Sequence, residues 1–391
     1  MTKKVAIVTT SRADYSIYRP VLMELGRRPA LSPIIVASGT HLSPQHGMTV
    51  TAIEADGFKV TERVPLLVVG DDGVATSKSM ALGLLGFSDV FQRIRPDIIL
   101  VLGDRYEMFS AALAALSLNI PIGHIHGGEL TIGAFDDSIR HSITKLSHLH
   151  FVSCVEAATR VRQLGEDPQR IFLVGAPALD TLSDIKSPPL EAVLERVGLG
   201  GSAKPVLATF HPTTRDLTSP IDQVTPMLDA LAATGLPVIL TAPNADPGGA
   251  AIRATLDAFV KRHPQIVLSE NLGPTWYFAA MRHADFMIGN SSSGILEAAS
   301  FGLPVIDIGS RQEGRTRGAN VLHCDNDTGA IKAAIGKATS DNFRKVAAET
   351  DNPYFAGGAA GKIADAIESS SGRESLIHKQ FHDLPSAISV N

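Results

Sequence analysis

The sequence predicts an α/β protein of two Rossmann-like domains facing a central cleft. Three observations carry that prediction. Short apolar runs alternate with longer amphipathic stretches along most of the chain. The alternation breaks at 182–189 (LSDIKSPP), where the composition is that of a linker, and then restarts. With 391 residues and 44% hydrophobic content, the chain can fill two cores of ordinary size.

The elements follow in order. Lys4–Thr9 (KVAIVT) and Pro33–Ala37 (PIIVA) are strand-like, each built on a short aliphatic run. Between them Asp14–Arg27 reads as a helix, with Asp14 placed to cap it. Met48–Ala55 and Ala75–Arg93 read as helices. The strand Asp97–Leu102 (DIILVL), the helix Ala111–Ser117 and the strand Ile120–Ile125 come next. A helix from Ser138, a short strand at Leu149–Val152, a helix at Glu156–Leu164 and a strand at Ile171–Val174 complete the series. Strands separated by helices imply right-handed crossovers and a parallel sheet.

After the linker, strands are expected at Pro205–Phe210, Pro237–Thr241, Ile266–Ser269, Asp285–Ile288 and Pro304–Ile308. Helices are expected at Thr225–Ala233, Ala250–Arg262, Thr275–Arg282 and Ser293–Ser300, then at Ala330–Lys337 and Ala360–Ser369. The domains are therefore placed at 1–182 and 190–360. The remainder, 361–391, is a helix and tail that packs back on the first domain.

Composition narrows the function. A formal charge of −5 argues against a nucleic-acid partner. Cys154 and Cys324 lack metal-site spacing and fit a reducing compartment. MTKKVAIVTTSR lacks the long apolar stretch and cleavage site of a signal peptide, and no segment reaches membrane-spanning length. A soluble, cytoplasmic protein without a membrane partner is expected.

The densest chemistry lies in Gly103–Lys145, which holds Asp104, Arg105, Glu107, His124, His126, Glu129, Asp136, Asp137, Arg140, His141 and Lys145. Polar residues just after buried strands lie at the carboxyl edge of a parallel sheet, where open α/β folds bind ligands. Arg12, in TTSRADYS, sits over the same edge, either as a bidentate anion contact or in a surface ion pair. Ser16 is a donor near the same helix start.

In the second half, GNSSSGILE (289–297) follows a buried run and opens a helix. Amides and hydroxyls there form an anion site, so Ser291 and Ser292 are diphosphate candidates; plain N-capping needs only one serine. Glu297, one turn into the helix, either takes ribose hydroxyls or lies on a solvated face. His211 (FHPTT) and Asn244 (APNADPG) each end a strand, and Arg311 (GSRQEGR) either reaches the anion or anchors its loop. HIH without HExxH spacing points to no metal. No GxGxxG marks a dinucleotide cofactor, so no cofactor is expected, and no GxSxG marks a nucleophile elbow.

Taken together, SRADYS (11–16), GDRYE (103–107), HIHGGE (124–129), DDSIRHSITKLSHLHF (136–151), HPTT (211–214), PNADPG (243–248), GNSSSG (289–294) and GSRQEGR (309–315) resemble the hydrolysing UDP-N-acetylglucosamine 2-epimerase family, in that family's order. The resemblance implies a GT-B type fold, UDP in the cleft and a route to nonulosonic acids. It implies that Asp104 and Asp136 are acid/base carboxylates, with Asp137 sharing the task. Arg12, His211, Asn244, Ser291, Ser292, Glu297 and Arg311 match UDP-binding positions. Arg105, Arg140 and His141 either orient the carboxylates or form structural ion pairs.

One departure stands out: His126 replaces a glutamate of some members, so His126 or Glu129 must carry its proton. The implied substrate is a UDP-activated N-acetylhexosamine, either UDP-GlcNAc or UDP-N,N′-diacetylbacillosamine. His126 is the one feature leaning towards the legionaminic-acid branch. A homodimer or homotetramer is implied. A non-hydrolysing epimerase, a GT-B glycosyltransferase and a non-catalytic nucleotide-sugar sensor stay open as alternatives.

Overall fold

The computed structural model describes residues 2–70, 72–132, 135–182, 187–213, 218–243, 248–270 and 272–384. The chain divides into two units. One comprises Met1–Glu129, Phe135–Thr181 and Ala356–Asn391; the other comprises Leu130–Ala134 and Leu182–Phe355.

The first unit is a seven-stranded parallel sheet. In chain order its strands are β1 (Lys3–Thr9), β2 (Leu31–Ser38), β3 (Val60–Val64), β4 (Ile98–Leu102), β5 (Ile122–Ile125), β6 (Leu149–Val152) and β7 (Ile171–Leu173). Their order across the sheet is β3-β2-β1-β4-β5-β6-β7, so the winding reverses between β1 and β4. Val5 to Val8 and all but the last residue of β4 are fully enclosed. That explains their near-continuous aliphatic sequence: helices cover both faces.

The C-terminal helix Ala359–Ser369 belongs to this unit and packs on the helix Arg12–Arg27. Its start is capped by Asp180, which accepts from the Ala359 and Ala360 N–H groups at 2.9 and 2.7 Å. Arg28 pairs with Asp365 at 2.7 Å and with Glu368 at 3.0 Å. Further on, Lys379 reaches the buried Glu166 at 2.8 Å.

The second unit is a six-stranded parallel sheet: β8 (Val206–Thr209), β9 (Val238–Thr241), β10 (Ile266–Ser269), β11 (Met287–Gly289), β12 (Val305–Ile308) and β13 (Val321–Cys324). The order is β10-β9-β8-β11-β12-β13, the doubly wound arrangement with its switch between β8 and β11. Separate apolar clusters fill its two faces, one around Phe286 and Ile306, the other around Met281 and Ile239.

At Gly289, the end of β11, φ is +133°, and a Cβ would stand 1.8 Å from the Thr209 carbonyl oxygen. Only glycine lets β11 pass this close to β8. Gly289→Ala is therefore expected to destabilise the unit by about 3 kcal/mol or more in denaturant unfolding. Gly336→Ala is the control. It lies in the helix Thr328–Ala338 with nothing within 4 Å of an added Cβ, and a gain of about 0.5–1 kcal/mol is expected.

Both cysteines are thiols outside any disulfide, Cys154 buried and Cys324 half-buried. Among the described residues, no helix is long and apolar enough to cross a membrane.

Candidate functional site

In each unit the candidate residues follow the carboxyl ends of strands. In the first unit, Asp104 and Arg105 leave β4, and His126–Glu129 leave β5. The helix Asp136–Leu146 begins two residues earlier than its sequence suggests, which puts Asp136 and Asp137 in its first turn.

Arg140, one turn on and only 3% exposed, ties these pieces together. Its Nη2 donates to Asp104 Oδ2, and its Nη1 donates to the His126 carbonyl at 2.8 Å. Arg105 is held in a fork by Glu107, at 2.7 and 3.2 Å. Glu107 is itself fully buried, so this carboxylate is committed to its arginine.

Asp136 is the electrostatic focus. Its half-buried carboxyl is pushed up to about 6, first by lost hydration and second by the negative charge of Asp104. Its own backbone N–H, Arg105 and Arg140 pull it partway back. A carboxyl raised to about 6 beside a second carboxylate, with two arginines close by, suits acid/base chemistry near neutral pH.

His126 sits in a left-handed backbone conformation, φ +61°, which a residue with a Cβ holds only when its surroundings impose it. Its Nδ1 lies 2.5 Å from Glu129 Oε1, which also accepts from the Ser153 hydroxyl at 2.6 Å. With Nδ1–H given to Glu129, Nε2 is the ring nitrogen left for another partner. The following turn needs Gly128, at φ +75°, where a Cβ would meet the Ala157 carbonyl at 2.4 Å.

His124 differs from its neighbour. Both its nitrogens are engaged, Nε2 with the Gly103 carbonyl at 2.8 Å and Nδ1 with Thr144 Oγ1 at 3.1 Å. Burial holds it neutral, down at about 3. It braces the turn before Asp104. Among the described residues, no three His, Cys, Asp or Glu side chains gather as metal ligands.

Asp137 faces His141 at 3.6 Å along its own helix. Arg12 is exposed at the first residue of its helix, beyond β1. Ser16 donates back to the Ala13 carbonyl at 2.6 Å.

In the second unit, His211 is 6% exposed, and burial, reinforced by the Arg311 cation, lowers its imidazole to about 3. It is neutral at any working pH. Arg311 Nη1 donates to the Asn290 carbonyl at 3.2 Å.

The serine run opens a helix of five residues, Ser292–Leu296. Ser291 is its N-cap and accepts from the Ser293 N–H at 3.4 Å; Ser292 is its first residue. Glu297 is the C-cap of this short helix, where a position one turn inside a longer helix was expected. It is no solvated face. Among the described residues its enclosed Oε2 has no hydrogen-bond partner, and burial pushes its carboxyl up to about 7, with the Ser293 hydroxyl and the Arg315 cation opposing. Asn244 lies outside the described residues.

Two contributors escaped the sequence. Tyr277 presents its phenol to the hydroxyls of Ser293, Thr209 and Ser291, and burial raises it to about 12. Its only hint was the aromatic run WYF. Asn290, one residue before the serines, joins His211 to Arg311 through its side chain and its carbonyl.

Known proteins resemble this chain along most of its length. A family model described as UDP-N-acetylglucosamine 2-epimerase matches residues 23–368. The GDP/UDP-N,N′-diacetylbacillosamine 2-epimerase (hydrolyzing) of Campylobacter jejuni is 38% identical over 387 residues, covering 98% of this chain and 99% of its own. The UDP-N,N′-diacetylbacillosamine 2-epimerase (hydrolyzing) of Legionella pneumophila is 38% identical over 338 residues, 86% of this chain and 89% of its own. A crystal structure of the UDP-GlcNAc 2-epimerase from Neisseria meningitidis bound to UDP-GlcNAc matches with a TM-score of 0.82 at 18% identity, over 94% of this chain and all of that one, a likeness of fold.

Proposed function

The chain belongs to the UDP-N-acetylglucosamine 2-epimerase family, and on that footing we propose that it is a hydrolysing 2-epimerase acting on UDP-N,N′-diacetylbacillosamine. The observation that carries the chemistry is the Asp104–Asp136 pair, with Asp136 raised to about 6 and Arg140 bound to Asp104. The substrate choice is supported by the two relatives at 38% identity, whose names carry that sugar. The reaction consumes one water and yields UDP and the free 2-epimer.

The proton at C2 is weakly acidic, so its removal must be coupled to departure of the diphosphate from C1. One carboxylate of the pair takes that proton, UDP leaves, and a 2-acetamidoglycal remains. Water adds at C1, and C2 is reprotonated on the opposite face from a second group. Asp104 and Asp136 hold these roles, with Asp137, His126 and Glu129 as the relay. Arg105 steadies the charges.

His211, Arg311, Ser291 and Ser292 hold the diphosphate, with Arg12, Ser16 and Asn244 assisting, and Glu297 accepts from the ribose hydroxyls. The protein works in the cytoplasm as a homodimer or homotetramer.

Incubation with UDP-N,N′-diacetylbacillosamine and with UDP-GlcNAc, followed by phosphorus and proton NMR, tests the reading. Free UDP and a free manno-configured diacetamido sugar are expected, with the diacetamido substrate preferred. A UDP-linked 2-epimer without UDP release would make the enzyme non-hydrolysing. Preference for UDP-GlcNAc would overturn the substrate.

Glu297 supplies a pH test. Its ionised form accepts ribose hydrogen bonds, and with its carboxyl at about 7 that form is lost as pH falls. Affinity for a non-hydrolysable UDP-sugar analogue should therefore drop between pH 8 and 6, by at most about tenfold per unit. Glu297→Gln should flatten the dependence.

A further inference from the structure

Asn290 is 1% exposed, and each of its four polar groups has a partner. Its N–H donates to the Thr209 carbonyl at 3.1 Å. Its Oδ1 accepts from the His211 N–H at 2.7 Å, and its Nδ2 donates to the His211 carbonyl at 2.8 Å. Its own carbonyl accepts from Arg311 Nη1 at 3.2 Å and from Gln312 Nε2 at 2.9 Å.

The last backbone pairing between β8 and β11 sets Thr209 opposite Gly289. Beyond it the Asn290 side chain takes the place of a peptide group and adds one more rung, gripping His211 on both sides. The loop after β12 is drawn to the same residue and is fastened from behind. Arg317 donates to the buried Asp307 at 2.8 and 3.1 Å and to the Gln312 carbonyl at 3.4 Å.

We propose that Asn290 is a positioning residue of the UDP site, fixing His211 and the Arg311 loop in one register so that both meet the same diphosphate. The inference rests on the reading of His211 and Arg311 as UDP-binding. The chemistry of the position is narrow. A paired N–H and C=O require one acceptor and one donor at fixed spacing, which an asparagine amide supplies. Aspartate keeps the acceptor but sets a carboxylate oxygen against the His211 carbonyl. Alanine leaves both His211 groups buried and unpaired, a costly outcome. A fully satisfied buried network specifies one arrangement; a half-satisfied one does not.

The test compares Asn290→Asp and Asn290→Ala with the wild type in four measurements: UDP affinity by calorimetry, KM and kcat by steady-state kinetics, the His211 titration by NMR, and thermal unfolding. Asn290→Asp is isosteric and carries the test if the alanine variant does not fold. The expected result is UDP affinity about tenfold weaker in Asn290→Asp, a rise in KM exceeding the fall in kcat, and a His211 imidazole that titrates closer to its ordinary range as its enclosure loosens. A lowered unfolding temperature with unchanged UDP affinity and unchanged His211 titration would overturn the proposal and leave Asn290 a purely structural residue. His211→Ala and Arg311→Ala separate the two readings. If neither weakens UDP binding, the assignment of the UDP site fails. If both do and the Asn290 variants do not, this inference alone fails.

Discussion

Asp104→Asn is expected to cut turnover by about 10³-fold while leaving UDP affinity within about twofold. The amide matches the carboxylate in size and still accepts from Arg140, so the turn after β4 keeps its shape. It cannot exchange a proton, and general acid–base help of that size is what it loses. UDP affinity holds because His211, Arg311, Ser291 and Ser292, the proposed holders of the diphosphate, belong to the other unit. The substitution also has an electrostatic signature. The Asp104 charge is the second cause of the raised Asp136 carboxyl, and Arg140 opposes it. Without the Asp104 charge only burial still raises the carboxyl against the Arg140 cation, so Asp136 should titrate below 6. Loss of UDP binding with unaltered turnover of the bound fraction would instead make Asp104 a structural residue.

The second large effect is the pH dependence set by Asp136. Its carboxyl is raised to about 6, so at pH 5 it is mostly protonated and at pH 7 mostly ionised. If the ionised form removes the C2 proton, kcat/KM climbs with pH through about 6 and then levels. A descending limb at the same pH would assign Asp136 the acid's part. Asp136→Asn should remove this limb and lower turnover by about 10²–10⁴-fold. Arg140→Met should move the limb to higher pH, because it removes a cation that favours the ionised carboxyl and leaves Asp104 uncompensated beside it. The same change frees the His126 carbonyl, so a further loss of rate is expected.

The doubly wound pattern was legible because its central strands are buried on both faces. β4 is wholly aliphatic, and β1 and β8 carry the aliphatic runs Val5–Val8 and Val206–Ala208. At two edges the signal is weaker. β3 (VTERV) alternates exposed and buried residues and offers no apolar run, and β13 (VLHC) is only partly covered. The helix Asp341–Ala348 buries only Phe343 and Ala347, too thin a stripe to stand out. The helix Leu190–Val197 lies just past the linker and buries only Val193 and Leu194.

The site followed the same logic. Residues that end strands, such as Asp104, His126 and His211, could be placed from local sequence, since the carboxyl edge collects them. What could not be read were relations between distant positions. The hold of Arg140 on Asp104 spans 36 residues, and that of Asn290 on His211 spans 79. For Glu297 the sequence leaves a ribose contact and a solvated face equally open, because its burial depends on packing around a helix far shorter than its sequence suggests.

The most direct measurement of the central claim is turnover of UDP-N,N′-diacetylbacillosamine in heavy water, with the released sugar followed by NMR. If carboxylates of the Asp104–Asp136 pair exchange the C2 proton during UDP departure, every molecule of free manno-configured sugar carries deuterium at C2, and Asp136→Asn yields almost none. Free sugar that keeps its original hydrogen at C2, in the original configuration, would show simple hydrolysis at C1 and contradict the account.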